Sequence, residues 1–138
     1  MTQIKQEDFI SSVADALQYI SFYHPADYIR NLARAYELEE SVAAKDAIAQ
    51  ILINSRMCAE GHRPICQDTG IVTIFLKIGM GVQFADATLD IQGMCDEGVR
   101  RAYGDKDNPL RASVLADPAF SRKNTKDNTP SCLSLIHI

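Results

Sequence analysis

Arg63-Pro64-Ile65-Cys66-Gln67-Asp68-Thr69-Gly70, followed at once by Ile71-Val72-Thr73-Ile74-Phe75-Leu76-Lys77-Ile78, is where the chain changes its period. Upstream, apolar residues recur every three or four positions, which predicts helices. Downstream comes a run of β-branched and aromatic residues, apolar on nearly both faces, which predicts an interior strand. The join is a polar turn. Pro64 disfavours helix at Arg63 and Gly70 permits a backbone conformation or close approach that a side chain would block. A thiol, an amide, a carboxylate and a hydroxyl are packed between them, and burying such groups unpaired costs about 1–3 kcal/mol each. A substrate, a metal centre or a tightly hydrogen-bonded turn would each satisfy them.

Working back from the turn, a helix is expected from near Ser41 as N-cap to Gly61 as C-terminal cap, carrying Ala47, Ile48, Ile51, Leu52 and Ser55 inward. Before it, Pro25 suits the first turn of a helix that buries Tyr28, Ile29, Leu32 and Tyr36. The first helix runs from about Lys5 to Tyr19 on a stripe of Phe9, Val13, Ala16, Leu17 and Ile20. Working forward, Gly79-Met80-Gly81 is a turn and Val82-Gln83-Phe84 a short second strand. Thr88 to Tyr103 reads as a fourth helix closed by Gly104, and Arg111 to Asp117 as a strand ended by Pro118. Asn124 to Pro130 is a polar loop. The fold class is therefore α/β (α+β-like), with amino-terminal helices, then a mixed β-sheet with a covering helix.

The 138 residues are one domain's worth, with 46% hydrophobic and 23% charged residues in the usual globular range. A net charge of −4 without a Lys/Arg block argues against nucleic acid or an anionic membrane as partner. No stretch is apolar enough to span a bilayer, and the polar, acidic start is unlike a targeting peptide, so a cytoplasmic location is expected. Free thiols or metal ligands are then the expectation for Cys58, Cys66, Cys95 and Cys132. Cys58 and Cys95 sit in helical patterns and read as core residues. Cys58, His62 and Cys66 superficially match a zinc set, but lack the Cys-x2-Cys knuckle. His24 reads as a helix-start residue, His62 as a surface loop residue, and Arg100 and Arg101 as the solvated, dipole-compensating end of a helix.

Four blocks in order then carry a resemblance: Met57 to Gly70, Glu97 to Tyr103, Asn108-Pro109-Leu110-Arg111-Ala112-Ser113, and Lys123-Asn124-Thr125-Lys126-Asp127-Asn128-Thr129-Pro130. Together they resemble the amino-terminal portion of class I, iron-sulfur-dependent fumarate hydratase, from about Thr2 to Pro130. The resemblance implies a hydro-lyase that interconverts fumarate and (S)-malate, usually a homodimer of much longer chains, with a 4Fe-4S cluster held by three cysteine thiolates and acting as Lewis acid through the iron left open. Cys66 would be the first of those ligands. Gln67, Asp68 and Thr69 would line the pocket floor, and Arg111 would bind a substrate carboxylate through its planar fork. Asn124 and Thr125 would lie at the pocket edge, and Asp68 would orient substrate or water while ionised. No catalytic acid or base is assigned.

Residues 1–130 are thus expected to be the amino-terminal part of an iron-sulfur hydro-lyase domain. From Ser131 the family pattern, a strand beginning Ala-Val-Ile-His, is lost. Ser131 to Ile138 resembles translated adapter or vector read-through and is expected to be a non-native tail, so Cys132 and His137 should carry no function. With two ligands missing, the polypeptide is expected to be colourless and inactive, and its 71–78 strand to be left without neighbours. Two other readings are the alpha component of a two-chain L-tartrate dehydratase-type hydro-lyase, and a non-catalytic interaction module whose polar turn is only a loop.

Overall fold

The computed structural model describes all residues from Met1 to Ile138. Four helices and four short strands follow in the order β1 (Thr2–Ile4), α1 (Gln6–Phe22), α2 (Ala26–Leu38), α3 (Val42–Gly61), β2 (Thr73–Ile78), β3 (Val82–Phe84), α4 (Ile91–Tyr103) and β4 (Cys132–His137). The class is α/β, as expected. In place of one mixed sheet, the strands form two separate parallel pairs, β1 with β3 and β2 with β4. The chain divides into two compact units, residues 1–18 with 67–138, and residues 19–66.

The larger unit is built around α4. Asp90 caps its start by accepting the Gly93 amide at 2.7 Å, which places the first helical residue at Ile91 rather than Thr88. One face buries Met94, Cys95, Gly98, Val99, Ala102 and Tyr103. Val99, Ala102 and Tyr103 pack with Val72 and Leu110, and Ala14, Leu17, Ile74 and Ala112 close over them. Gly98 is what lets α1 in: a Cβ there would sit 2.7 Å from Val13 Cβ and 3.0 Å from the Ile10 carbonyl. The buried stripe of α1 is accordingly Ile10, Ala14 and Leu17, whereas Ala16 and Ile20 of the expected stripe are exposed. Outside this contact Arg101 pairs with Glu7 and, at 3.1 Å, with Glu97, and Arg100 pairs with Glu97 and, at 3.3 Å, with Asp127. Arg100 and Arg101 therefore join elements rather than only ending a helix, although such exposed pairs add about 0–1 kcal/mol each.

The 71–78 run becomes β2, shortened to Thr73–Ile78. It is not left unpartnered: β4 lies parallel to it in register from Thr73 opposite Cys132 to Ile78 opposite His137. Residues 131–138 are tied in at their start as well, because Asp96 accepts both the Ser131 amide and hydroxyl at 2.8 Å and Gln92 donates to the Ser131 carbonyl at 3.1 Å. The expected strand at 111–117 reduces to one antiparallel bridge between Leu115 and Asn124. The Ser113 and Val114 amides bond to the Asn128 side chain instead of to a strand.

The smaller unit holds α2 and α3. Ser41 caps α3 by accepting the Ala44 amide at 3.5 Å. Gly61 is the last helical residue and not the cap: His62 takes the left-handed position, with φ 47°. Pro25 lies just outside α2. The inward stripes are looser than expected, with Tyr28, Tyr36 and Ile51 exposed, while Ser55 and Cys58 are buried. His24 Nδ1 lies 3.0 Å from Ser55 Oγ and its ring stacks on Tyr28. No helix is long and apolar enough to cross a membrane.

Candidate functional site

Within the smaller unit, the stretch leading to Cys66 is pinned by three hydrogen bonds. Ile65 donates its amide to the Ser21 carbonyl at 2.8 Å, Asn54 Nδ2 donates to the Ile65 carbonyl at 3.0 Å, and Cys58 Sγ donates to the Pro64 carbonyl at 3.6 Å. Cys66 itself is a free, exposed thiol, whereas Cys58 and Cys95 are buried as expected. Burial, with Asp96 next to it, pushes the Cys95 thiol up to about 11, so it stays protonated at neutral pH.

Within the larger unit, the turn continues as Gln67 to Gly70. Asp68 Oδ1 accepts the Gly70 amide at 3.0 Å, closing an Asx turn whose last residue has φ +69°. Gln67 and Asp68 are exposed. Thr69 is held at both ends: its hydroxyl donates to the Arg111 carbonyl at 2.5 Å, and its carbonyl accepts the Tyr103 hydroxyl at 2.9 Å. Burial pushes the Tyr103 phenol above its ordinary value, so at neutral pH it keeps the proton that it donates to Thr69.

The Arg111 segment and the 124–128 loop complete the arrangement. The Arg111 side chain is exposed and makes none of the ion pairs present, which leaves its guanidinium available. Asn124 is committed to the loop, donating to the Ala112 carbonyl at 2.6 Å and accepting the Lys126 amide at 2.6 Å, so it shapes the edge rather than offering a free amide. Thr125 donates its amide to the Val114 carbonyl, and its buried hydroxyl has no partner. Asn128 is fully buried at φ 62°. Its Oδ1 accepts the Ser113 and Val114 amides at 2.6 and 3.1 Å, and its Nδ2 donates to the Gly70 carbonyl at 3.1 Å.

Thus Asp68, Thr69, Arg111, Asn124 and Thr125 belong to segments that the unit ties together. Tyr103 and Asn128, which do much of the tying, were within the recognised blocks but had no distinguishing signal in the sequence. Two grooves lie elsewhere: one of about 430 Å³ lined by Phe84, Leu89, Met94, Leu133 and Leu135 among others, and one of about 520 Å³ between His24, Tyr28, Ile51 and Asn54. A 4Fe-4S cluster needs three or four ligands, and no group of three or more His, Cys, Asp or Glu side chains is placed to hold a metal. Cys66, exposed on a fixed turn, fits as one ligand; these residues do not make the whole cradle.

The fumarate hydratase (Fumerase) family profile matches residues 10–138. The chain is 32% identical over 116 residues to the "Putative L(+)-tartrate dehydratase subunit alpha" of Methanocaldococcus jannaschii, an alignment covering 84% of this chain and 39% of that protein. It is 27% identical over 113 residues to the "Putative fumarate hydratase class I" of Geobacillus stearothermophilus, covering 81% of this chain and 20% of the relative. The chain therefore spans well under half the length of either relative.

Proposed function

The chain belongs to the fumarate hydratase family, and we propose on that basis that it is the amino-terminal part of a hydro-lyase acting on a small 2-hydroxy dicarboxylate and its unsaturated counterpart, fumarate and (S)-malate in the first instance. The observation that supports this most directly is the Thr69–Arg111 hydrogen bond of 2.5 Å, which holds the Arg111 main chain beside the Gln67–Gly70 turn. Arg111 binds a substrate carboxylate through its planar fork, which a lysine does not reproduce. Gln67 offers an exposed amide for orientation. Asp68 has one oxygen engaged by the Gly70 amide and one left to orient a substrate hydroxyl or the reacting water.

Cys66 would supply one thiolate to a 4Fe-4S cluster, whose open iron provides Lewis acidity when bound. The remaining ligands would come from the length of the relatives that these residues do not span, in a homodimer located in the cytoplasm. The test is to express the gene through its natural stop codon, reconstitute it anaerobically with iron and sulfide, and assay fumarate hydration with malate and tartrate dehydration. Cys66→Ser should lose iron and activity, and Arg111→Lys should raise KM. Retained iron and activity in Cys66→Ser would favour a non-catalytic loop. The higher identity and coverage in the tartrate dehydratase subunit alignment favour a second reading, the alpha chain of a two-chain enzyme; turnover of tartrate but not malate would select it.

A further inference from the structure

Asn128 stands out because its single carboxamide reaches both segments that carry the proposed dicarboxylate contacts. Its Oδ1 takes two consecutive amides, Ser113 and Val114, just after Arg111. Its Nδ2 takes the Gly70 carbonyl, the last acceptor of the turn that bears Gln67, Asp68 and Thr69. The Asn128 side chain has no exposed surface, so its carboxamide is spent on these partners rather than on solvent. The backbone at Asn128 is left-handed, which asparagine tolerates better than other non-glycine residues. An aspartate could accept the two amides but would set an oxygen against the Gly70 carbonyl. A glutamine is one methylene too long for the same register. The site therefore calls for this side chain in particular.

We infer that Asn128 is a positioning residue: it fixes the Arg111 segment and the Gln67–Gly70 turn at one mutual distance, so that both ends of a dicarboxylate are met at once. It touches no substrate itself. The inference rests on the proposed dicarboxylate site, and its test separates the two ideas. The 138-residue chain is followed by amide NMR with and without sodium fumarate, as wild type, Asn128→Asp and Asn128→Gly. In Asn128→Asp the Ser113 and Val114 amides should keep their protection from exchange. The Ile71 amide, which reports on hydrogen bonding at the preceding Gly70 carbonyl, should shift, and the Arg111 amide should shift with it. Fumarate affinity should fall about tenfold, the scale of one buried hydrogen bond. Asn128→Gly, which keeps the left-handed backbone, should lose both protections; if it does not fold, Asn128→Asp alone decides. An Ile71 shift without any change at Arg111, or unchanged fumarate affinity in a folded Asn128→Asp, overturns the inference. Wild type that shows no fumarate-dependent shift at Thr69 or Arg111, together with a reconstituted gene product that turns over neither fumarate, malate nor tartrate, overturns the dicarboxylate reading instead, and the coupled Ile71 and Arg111 shifts still decide whether Asn128 ties the segments.

Discussion

The Tyr103 hydroxyl donates a 2.9 Å hydrogen bond to the main-chain carbonyl of Thr69, so the last turn of α4 sets the height of the polar turn from below. Tyr103 is 5% exposed, and its ring belongs to the same core as Val99 and Leu110. Tyr103→Phe keeps the packing and leaves the carbonyl short of a donor. We expect a loss of about 1 kcal/mol, or about 4 °C in Tm, measured by thermal unfolding. An unchanged Tm would mean that water replaces the phenol at no cost.

The core of α4 should make the protein alkali-sensitive. Burial pushes the Cys95 thiol up to about 11 from an ordinary value of 9.0, and burial pushes the Tyr103 phenol up as well. Both groups ionise first in the unfolded chain, so the Cys95 contribution is complete below about pH 9 and is lost as pH rises through about 11, and the Tyr103 contribution is lost only above its ordinary value of 10.0. Urea midpoints should fall across that window. Cys95→Ala should flatten the decline, and a parallel decline in that variant would remove Cys95 as a cause.

Gly98→Ala adds one methyl where α1 and α4 meet. With Val13 Cβ only 2.7 Å and the Ile10 carbonyl 3.0 Å from the new atom, the helices must separate. Helix propensity favours alanine by about 1 kcal/mol, but overpacking of this kind costs about 1–3 kcal/mol. We expect net destabilisation in denaturant titrations, together with exchange broadening at Ile10 and Val13; a more stable variant would show that the contact yields easily.

Asp96 should control the attachment of β4. Its carboxylate is the shared acceptor for the Ser131 amide and hydroxyl, and Ser131 is buried. Asp96→Ala leaves both donors without a partner, at about 1–3 kcal/mol. Amide exchange along Cys132–His137 should accelerate more than that in α4. Removing residues 131–138 should go further, exposing the whole β2 edge and promoting assembly visible by light scattering. A monomeric, equally stable shortened chain would show that β4 contributes nothing to the unit.

Much of this architecture could be read from local pattern. Ser41 and Ser55 were placed by capping chemistry and helical spacing, and the change of period at Gly70 marked the start of the sheet. What escaped the reading depends on partners distant in sequence. Helix spacing gave α1 a stripe through Ala16 and Ile20, yet Gly98 selects the face with Ile10 and Val13 against it. The 111–117 run has strand-like residues, yet the Asn128 side chain takes the amides that a neighbouring strand would need. At the site, Asp68, Thr69 and Arg111 stood out by residue type within recognised blocks. Asn124 and Thr125 were drawn in by the same resemblance, although Asn124 turns out to spend both ends of its amide on the loop. Positioning residues carry no chemical signature of their own, so Tyr103 and Asn128 became visible only in three dimensions.

The parallel pairing of β2 with β4 also bears on how the chain is made. Its partners lie roughly sixty residues apart, so the pair is a nonlocal contact of the kind that slows folding. On the ribosome, at about 5–20 residues per second, β2 would wait several seconds while β3, α4 and the loop to Pro130 are synthesised. Throughout that interval a strand with Phe75 on its outer face is open to any extended segment nearby. Lys77 lies within that strand and faces solvent, so its charge penalises stacking of one nascent β2 on another until β4 arrives.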